Sequence, residues 1–102
     1  MNTALDDILT LEEDDDATVL DKALAMQRMI NSGTVWIMQG SYGRTAMDFL
    51  EAGLCCLGRM SATDYWGNRV PSRDQVQPGT KGSVEYVHAA RGKAWADSVS
   101  AA

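Results

Sequence analysis

Apolar residues recur three and four positions apart in two long stretches of the chain, the spacing of one face of a helix. The first stretch covers residues 17–32 and is followed by Gly33, where a helix can stop. The second covers residues 41–57 and is followed by Gly58. The pattern predicts two helices, and the short connection between them favours an antiparallel pair.

Weaker patterns flank this pair. Residues 1–11 predict a short helix, and the acidic run 12–16 predicts a linker whose last residue, Asp16, caps the next helix. Residues 34–38 suit either a strand or a helix, and the absence of an obvious partner strand favours the helix. Ser83 is expected to start a further helix that meets Gly92, with residues 94–102 continuing it weakly.

The segment between these helices, residues 59–82, is rich in turn-forming residues. Ser72 and Gln75 match a capping box, which predicts a single helical turn that ends before Pro78. Pro78 and Gly79 suit the centre of a type II turn. Residues 79–83 lack the spacing of a phosphate-binding loop, so we interpret them as a turn followed by a helix cap.

These elements predict a mainly α, single-domain fold of about four helices, with the turn-rich segment between the last two long helices. A chain of 102 residues is long enough for one hydrophobic core and too short for two. Its expected parts are an acidic helix and linker (1–16), a helical pair (17–58), the turn-rich segment (59–82) and a C-terminal helix and tail (83–102). The expected core residues are Leu20, Leu24, Ile30, Phe49, Leu50, Leu54 and Leu57.

Small residues lie near one face of the second predicted helix, at Gly43, Ala46 and Gly53. Glycine inside a helix is unfavourable by about 1 kcal/mol relative to alanine and is usually kept where another backbone comes close. The favoured interpretation is tight packing against the first helix. A ligand-facing groove is the alternative.

Charge is spread unevenly along the chain. Residues 1–33 hold eight acids and two bases, whereas the remainder is nearly neutral, and the net charge is -5. Binding to nucleic acid is therefore disfavoured, because it depends on neutralising phosphates. One alternative is a regulator that binds nucleic acid through a basic face formed by Arg69, Arg73, Lys81, Arg91 and Lys93. Another is an acidic protein that mimics DNA and occupies a DNA-binding partner.

Membrane insertion and secretion are also disfavoured. The longest weakly charged stretch, residues 34–58, contains Arg44, Asp48 and Glu51. The N-terminus is acidic where a signal peptide would be basic, and the two cysteines are adjacent, which suits a reducing compartment. We expect a soluble, intracellular protein with no membrane contact.

Cys55, Cys56 and His88 are the candidates for nucleophilic or metal chemistry. A cysteine with a histidine base could act as a nucleophile, but the apolar surroundings of both cysteines favour buried, unreactive thiols. Three such residues are too few for a structural zinc site, and residues 12–16 lack the spacing of a calcium loop. We expect no catalytic, metal or cofactor site, and so a protein that is not an enzyme.

Residues 64–73 combine aromatic rings, arginines and turn formers, a composition typical of binding hot spots. The predicted partner-binding residues are Tyr65, Trp66, Arg69 and Arg73. In the alternative interpretation, the two rings close the core and the arginines pair with the acidic N-terminal part.

Several short stretches carry a resemblance to a known group of proteins. They are residues 39–44 (QGSYGR), 51–53 (EAG), 64–68 (DYWGN), 70–73 (VPSR) and 78–83 (PGTKGS). Over roughly residues 1–90 the chain resembles small proteins encoded by bacteriophages of mycobacteria and related actinobacteria. The resemblance implies a phage accessory protein in the bacterial host cytoplasm and implies no particular chemistry. Phage proteins of this size often bind a host or phage protein, so we expect such a partner.

Apolar side chains are numerous for so small a core. The chain contains three tryptophans and six methionines. Surplus apolar surface is commonly buried between identical subunits. We therefore also expect a homodimer.

Overall fold

The computed structural model describes residues 18–38 and 41–102. The helix and acidic linker predicted for residues 1–16 lie outside this part of the chain. The described helices are α1 (Val19–Ser32), α2 (Thr34–Ile37), α3 (Tyr42–Glu51), α4 (Val84–Arg91) and α5 (Lys93–Ala101), and the described strands are β1 (Ala62–Thr63) and β2 (Arg69–Val70). The prediction of a small, mainly α fold is confirmed.

The helix α1 begins at a complete capping box. The Thr18 hydroxyl accepts a hydrogen bond from the Asp21 amide, and the Asp21 carboxylate accepts one from the Thr18 amide, both at 3.0 Å. The N-cap is therefore Thr18 and not Asp16. At the other end, Gly33 adopts a left-handed conformation (φ 80°), and its amide donates to the Ile30 carbonyl, which confirms the predicted stop.

The short stretch after Gly33 forms the single helical turn α2, so the favoured helical interpretation is confirmed. It contacts both α1 and α3, and α1 and α3 also contact each other. Val35 and Trp36 of this turn are buried in the core.

The helix α3 is shorter than its apolar pattern predicts, because it ends at Glu51 instead of Leu57. Gly53 adopts φ 72°, which takes the chain out of the helix. Residues 55–58 then run through the core as four consecutive buried residues without helical structure. An apolar run that is buried on all sides can satisfy a helical pattern without forming a helix, and this explains the error.

The small residues of this region have different neighbours. A Cβ atom added at Gly43 would lie 3.9 Å from the Val35 carbonyl oxygen of α2, and Ala46 is fully buried. Gly53 instead lies against α4, where an added Cβ would approach the Ala90 Cβ to 2.5 Å. Neither glycine has its nearest neighbour on α1, so the predicted packing of these residues against the first helix is not confirmed; Gly53 makes its close contact with α4 instead.

The turn-rich segment contains a hairpin that the sequence pattern did not predict. β1 and β2 pair antiparallel, with Ala62 opposite Val70 and Thr63 opposite Arg69. The helical turn predicted at Ser72 is a plain turn in which the Gln75 side chain accepts the Ser72 amide at 2.9 Å. The turn at Pro78 and Gly79 is confirmed, with the Thr80 amide donating to the Gln77 carbonyl at 3.0 Å and Gly79 at φ 87°.

The C-terminal part forms two helices instead of one weak continuation. Ser83 caps α4 by accepting the Tyr86 amide at 3.2 Å, as predicted. Gly92 (φ 90°) separates α4 from α5, and α5 packs against both α4 and α1. No helix in the described ranges has the length and apolar character that crossing a bilayer requires.

The core lies between α1, the turn α2, α3, the segment 55–57 and the C-terminal helices. Of the predicted core residues, Ile30, Leu50 and Leu57 are buried, and Leu24, Phe49 and Leu54 are partly buried against the same cluster. The prediction for Leu20 is wrong, because it is only half-buried and lies outside that cluster. The expected core list omits several buried residues: Met26, Met29, Val35, Val87 and Val99. The expected burial of Cys55 and Cys56 is confirmed.

Candidate protein-binding site

The hairpin loop, residues 64–68, is held in shape by Asp64. Its carboxylate accepts hydrogen bonds from the amides of Trp66 at 2.9 Å and Asn68 at 2.8 Å. The Gly67 amide also donates to the Asp64 carbonyl at 3.0 Å, and Gly67 adopts φ 84°. Such side-chain-to-backbone bonds are the reason that aspartate favours turns. These hydrogen bonds within the loop fix much of its conformation locally.

The two aromatic side chains of this loop point into solvent. Trp66 is 80% exposed and Tyr65 is 57% exposed. Their rings meet edge to face with centroids 5.0 Å apart. The Tyr65 amide donates to the Trp36 carbonyl at 2.9 Å, which ties the loop to α2. The alternative interpretation, in which these rings close the core, is therefore wrong.

Beside the hairpin lies a half-open cleft with a volume of about 660 Å³. Its lining is mostly apolar and comes from the hairpin, α2, α3 and the turns before α4. The apolar residues that line it include Trp36, Met38, Met47, Leu50, Leu57, Val70 and Val76. Gly43 also lines it, whereas Ala46 and Gly53 do not belong to its described lining, and the ligand-facing groove stays a hypothesis.

The charged residues that line the cleft are mainly basic. The basic residues are Arg44, Arg69 and Lys81, and the acidic residue among the described lining is Asp64. The three cations are exposed, and within the described ranges none of them forms an ion pair. The Asp64 carboxylate already accepts two amides of the loop. The cleft thus presents positive charge on a protein whose net charge is -5.

Arg73 differs from the other predicted partner-binding residues, because its guanidinium is bound within the fold. It donates to the Leu57 carbonyl at 2.8 Å, the Ser100 carbonyl at 3.0 Å and the Asn31 side chain at 3.4 Å. Arg73 does not belong to the described lining of the cleft. The structure brings Tyr65, Trp66 and Arg69 together and places Arg73 at the C-terminal end of α5.

Arg59 binds the same helix end. Its guanidinium donates to the Ser100 carbonyl at 2.8 Å and to the Ala102 carbonyl at 3.3 Å, and the Asn31 amide group donates to Ala102 at 2.8 Å. Cations and side-chain donors at a helix C-terminus satisfy its free carbonyls and interact favourably with the helix dipole. These contacts hold α5 against α1.

Cys55 and Cys56 are free and buried. Burial raises the pKa of the Cys55 thiol, and the neighbouring Cys56 raises it further. Burial also raises the pKa of Cys56, with Arg73 and Arg59 acting in the opposite direction. His88 is exposed on α4. The described residues hold no cluster of three or more His, Cys, Asp or Glu side chains that could bind a metal.

A buried amide fixes the segment that contains these thiols. Gln27 accepts the Cys56 amide through its side-chain oxygen and donates to the Cys56 carbonyl through its nitrogen, both at 2.9 Å. The Cys55 thiol donates to the Ala23 carbonyl at 3.2 Å. These polar groups of the segment therefore form hydrogen bonds within the protein core.

Sequence reasoning missed Arg44, Met47 and Lys81 as residues of the site. Arg44 and Met47 lie on the exposed side of α3, and Lys81 lies in the turn before α4. No local motif joins the three, since only the tertiary fold brings these elements beside the hairpin. The available signals were the polar Arg44 on a predicted helix and the grouping of Lys81 with Arg69 in the basic face of the alternative hypothesis.

The fold and the site together define a small helical domain that carries an exposed aromatic hairpin beside a basic-rimmed cleft. The family model of the domain of unknown function DUF7417 matches residues 1–65, which is more than half of the chain, and the protein belongs to this family. The match includes α1, α2, α3 and β1 and ends at Tyr65 in the hairpin loop. The searches of curated proteins and of solved structures found no match.

Proposed function

We propose that the protein is a non-catalytic bacteriophage accessory protein that binds a host or phage protein in the bacterial cytoplasm. The observation that carries the proposal is the 80% exposure of Trp66 on a loop that Asp64 holds in place beside an apolar cleft. The family is a domain of unknown function, so membership in it indicates no activity.

The exposed rings supply the contact area that such an interface needs. An aromatic side chain buries about 150–250 Å² when it is covered, and tryptophan, tyrosine and arginine dominate binding hot spots. Because the loop is already ordered by its own hydrogen bonds, little conformational entropy is lost when a partner covers it. Tyr65, Trp66 and Arg69 are therefore the proposed contact residues.

The buried thiols support the non-catalytic part of the proposal. A nucleophilic cysteine acts as the thiolate and must reach its substrate. Cys55 and Cys56 are buried, and burial raises their pKa values. The homodimer expected from the sequence stays a prediction.

Affinity capture from a bacterial host lysate tests the proposal. We compare the wild type with the double variant Trp66→Ala, Arg69→Ala. Loss of a hot spot weakens binding by about 2 kcal/mol or more, so we expect the captured partner to bind about 30-fold or more weakly to the variant. Arg73 is left intact because the fold uses it.

The matched control is Met60→Ala, Lys93→Ala. Met60 is 79% exposed and, like Lys93, lies outside the described lining of the cleft. The control should retain the partner, and all three proteins should unfold at similar urea concentrations, because exposed substitutions usually change stability by less than about 0.5 kcal/mol. Equal retention of the partner by both variants would contradict the proposed interface.

A further inference from the structure

We propose that the cleft beside the hairpin binds an apolar segment of the partner protein that carries acidic residues along its flank. The inference rests on the proposed function for the existence of a partner and adds the chemistry by which that partner is recognised. Its evidence is the combination of an apolar floor and a basic rim that forms no ion pair within the described ranges.

The floor of the cleft is formed by side chains that also belong to the core. Leu50 and Leu57 are buried core residues, and both line the cleft together with Trp36. A partner side chain that enters the cleft would therefore continue the hydrophobic core outward. The volume of about 660 Å³ lies within the range of about 300–1,000 Å³ that is usual for binding pockets.

The charged residues at the rim of the cleft determine which sign of charge the partner must carry. Three of the nine basic residues line the cleft, whereas of the seven acids in the described ranges only Asp64 does. Since Asp64 is engaged by the loop amides, its charge is partly compensated. Charge complementarity of this kind favours an acidic partner and disfavours a basic one.

The arginines also suit carboxylates geometrically. A guanidinium can donate two parallel hydrogen bonds to a carboxylate, and Arg44 and Arg69 have no ion-pair partner within the described ranges. Both belong to the lining, on α3 and on β2 respectively. A segment with apolar anchors and acidic flanking residues would satisfy the floor and the rim at once.

A protein segment fits the cleft better than a small molecule does. Small-molecule pockets bury about 70–90% of their ligand, whereas here Met47 (42% exposed), Tyr65 and Trp66 leave one side open. An amphipathic segment that lies in such a groove uses apolar anchors at helical spacing. The open side then accommodates the rest of the partner.

The test begins with selection from a random 12-residue peptide library displayed on phage, using the immobilised full chain. We expect enrichment of peptides that combine spaced Leu, Ile, Phe or Trp with Asp or Glu. The most enriched peptide is then synthesised with a fluorescent label and titrated by anisotropy. No enrichment, or enrichment of Lys and Arg, would overturn the proposal.

Two variants with the same change in net charge locate the binding. Arg44→Glu, Arg69→Glu reverses charge in the cleft, and Arg91→Glu, Lys93→Glu reverses it on residues outside the cleft lining. We expect the first pair to weaken peptide binding at least tenfold and the second to change it less than threefold. Lys81→Glu gives an independent measurement if the first pair melts early. Equal effects of the two pairs would show that the peptide binds elsewhere.

One competing occupant is the chain itself, because residues 5–16 place Leu5, Ile8 and Leu9 ahead of an acidic run. If the full chain binds no library peptide and the variant Ile8→Asp, Leu9→Asp does, that segment fills the cleft and the partner proposal is overturned. Failure of this inference differs from failure of the proposed function. Suppose that the lysate partner is lost in the Trp66→Ala, Arg69→Ala variant but the library yields basic peptides. The proposed interface would then be supported, and the acidic chemistry of the partner would be refuted.

Discussion

Gly53 lies just after the end of α3 and packs against α4. It adopts φ 72°, a conformation that L-residues with a side chain rarely adopt. A Cβ atom added there would also lie 2.5 Å from the Ala90 Cβ, a distance that requires backbone movement. Tyr86 reinforces the contact, since its hydroxyl donates to the Glu51 carbonyl at 2.7 Å.

Gly53→Ala should therefore destabilise the fold through both backbone strain and the contact with Ala90. The matched control is Gly67→Ala, because Gly67 has a similar φ of 84° but nothing within 4 Å of its added Cβ. We expect the control to lose about 1 kcal/mol from strain alone and Gly53→Ala to lose about 2–4 kcal/mol. Urea denaturation of both variants measures the difference. Equal losses would show that the packing at Ala90 contributes nothing.

The helix α1 depends on local signals at both ends as well as on its buried face. The capping box of Thr18 and Asp21 satisfies backbone amides at its start, and Gly33 ends it. The hydrogen bond from the Thr18 amide to the carboxylate lowers the pKa of Asp21, and the Thr18 side chain lowers it further. The stabilisation by this carboxylate is therefore fully present above its ordinary pKa and is lost as the pH falls through the lowered folded value.

Thr18→Ala removes the hydroxyl acceptor of the Asp21 amide. Loss of an N-cap lowers helix or protein stability by about 1 kcal/mol. Thr18→Ser keeps the hydroxyl and should stay close to the wild type. The free energy of unfolding of all three proteins at pH 7, measured in urea, checks this prediction. It fails if the alanine and serine variants are equally stable.

At the scale of the whole molecule, the fold is closed by contacts between residues far apart in the chain. Arg73 joins Leu57, Asn31 and Ser100, and Arg59 joins the last residues of α5 to the same region. The helices α4 and α5 follow the residues matched by the family model. In this chain they complete the core, since Val87, Ala96 and Val99 are buried in it.

Arg73→Ala should destabilise the protein far more than Arg69→Ala. Hydrogen bonds from a charged donor contribute about 1.5–3 kcal/mol, and Arg73 makes them to three groups of the fold. Because Arg59 also binds Ser100, we expect a loss of about 2–3 kcal/mol for Arg73→Ala and less than about 0.5 kcal/mol for Arg69→Ala. Urea unfolding checks the values, and amide exchange in α5 should be faster in the Arg73 variant. Similar stability of the two variants would contradict the structural role of Arg73.

The sequence by itself determined those parts of the fold that depend on neighbouring residues. These parts are the periodicity that predicts α1, the glycine that ends it, the serine that caps α4 and the turn at Pro78. Each of them depends only on residues that are close together in the chain. The exposed aromatic loop was also found as a candidate site, because its turn formers and rings are adjacent in sequence. In each case the physical interaction is local, so its signal is local.

Only the tertiary structure decided where distant residues meet. It ended α3 at Glu51 and placed Gly53 against Ala90, 37 positions further along the chain. It separated Arg73 from Arg69, since the carbonyls that bind Arg73 come from Leu57 and Ser100. It joined Arg44, Met47 and Lys81 to the hairpin in one cleft. Arg73 and Arg69 differ in role because the Arg73 guanidinium finds carbonyl acceptors in the fold, whereas Arg69 faces solvent. No local sequence pattern encodes this distinction.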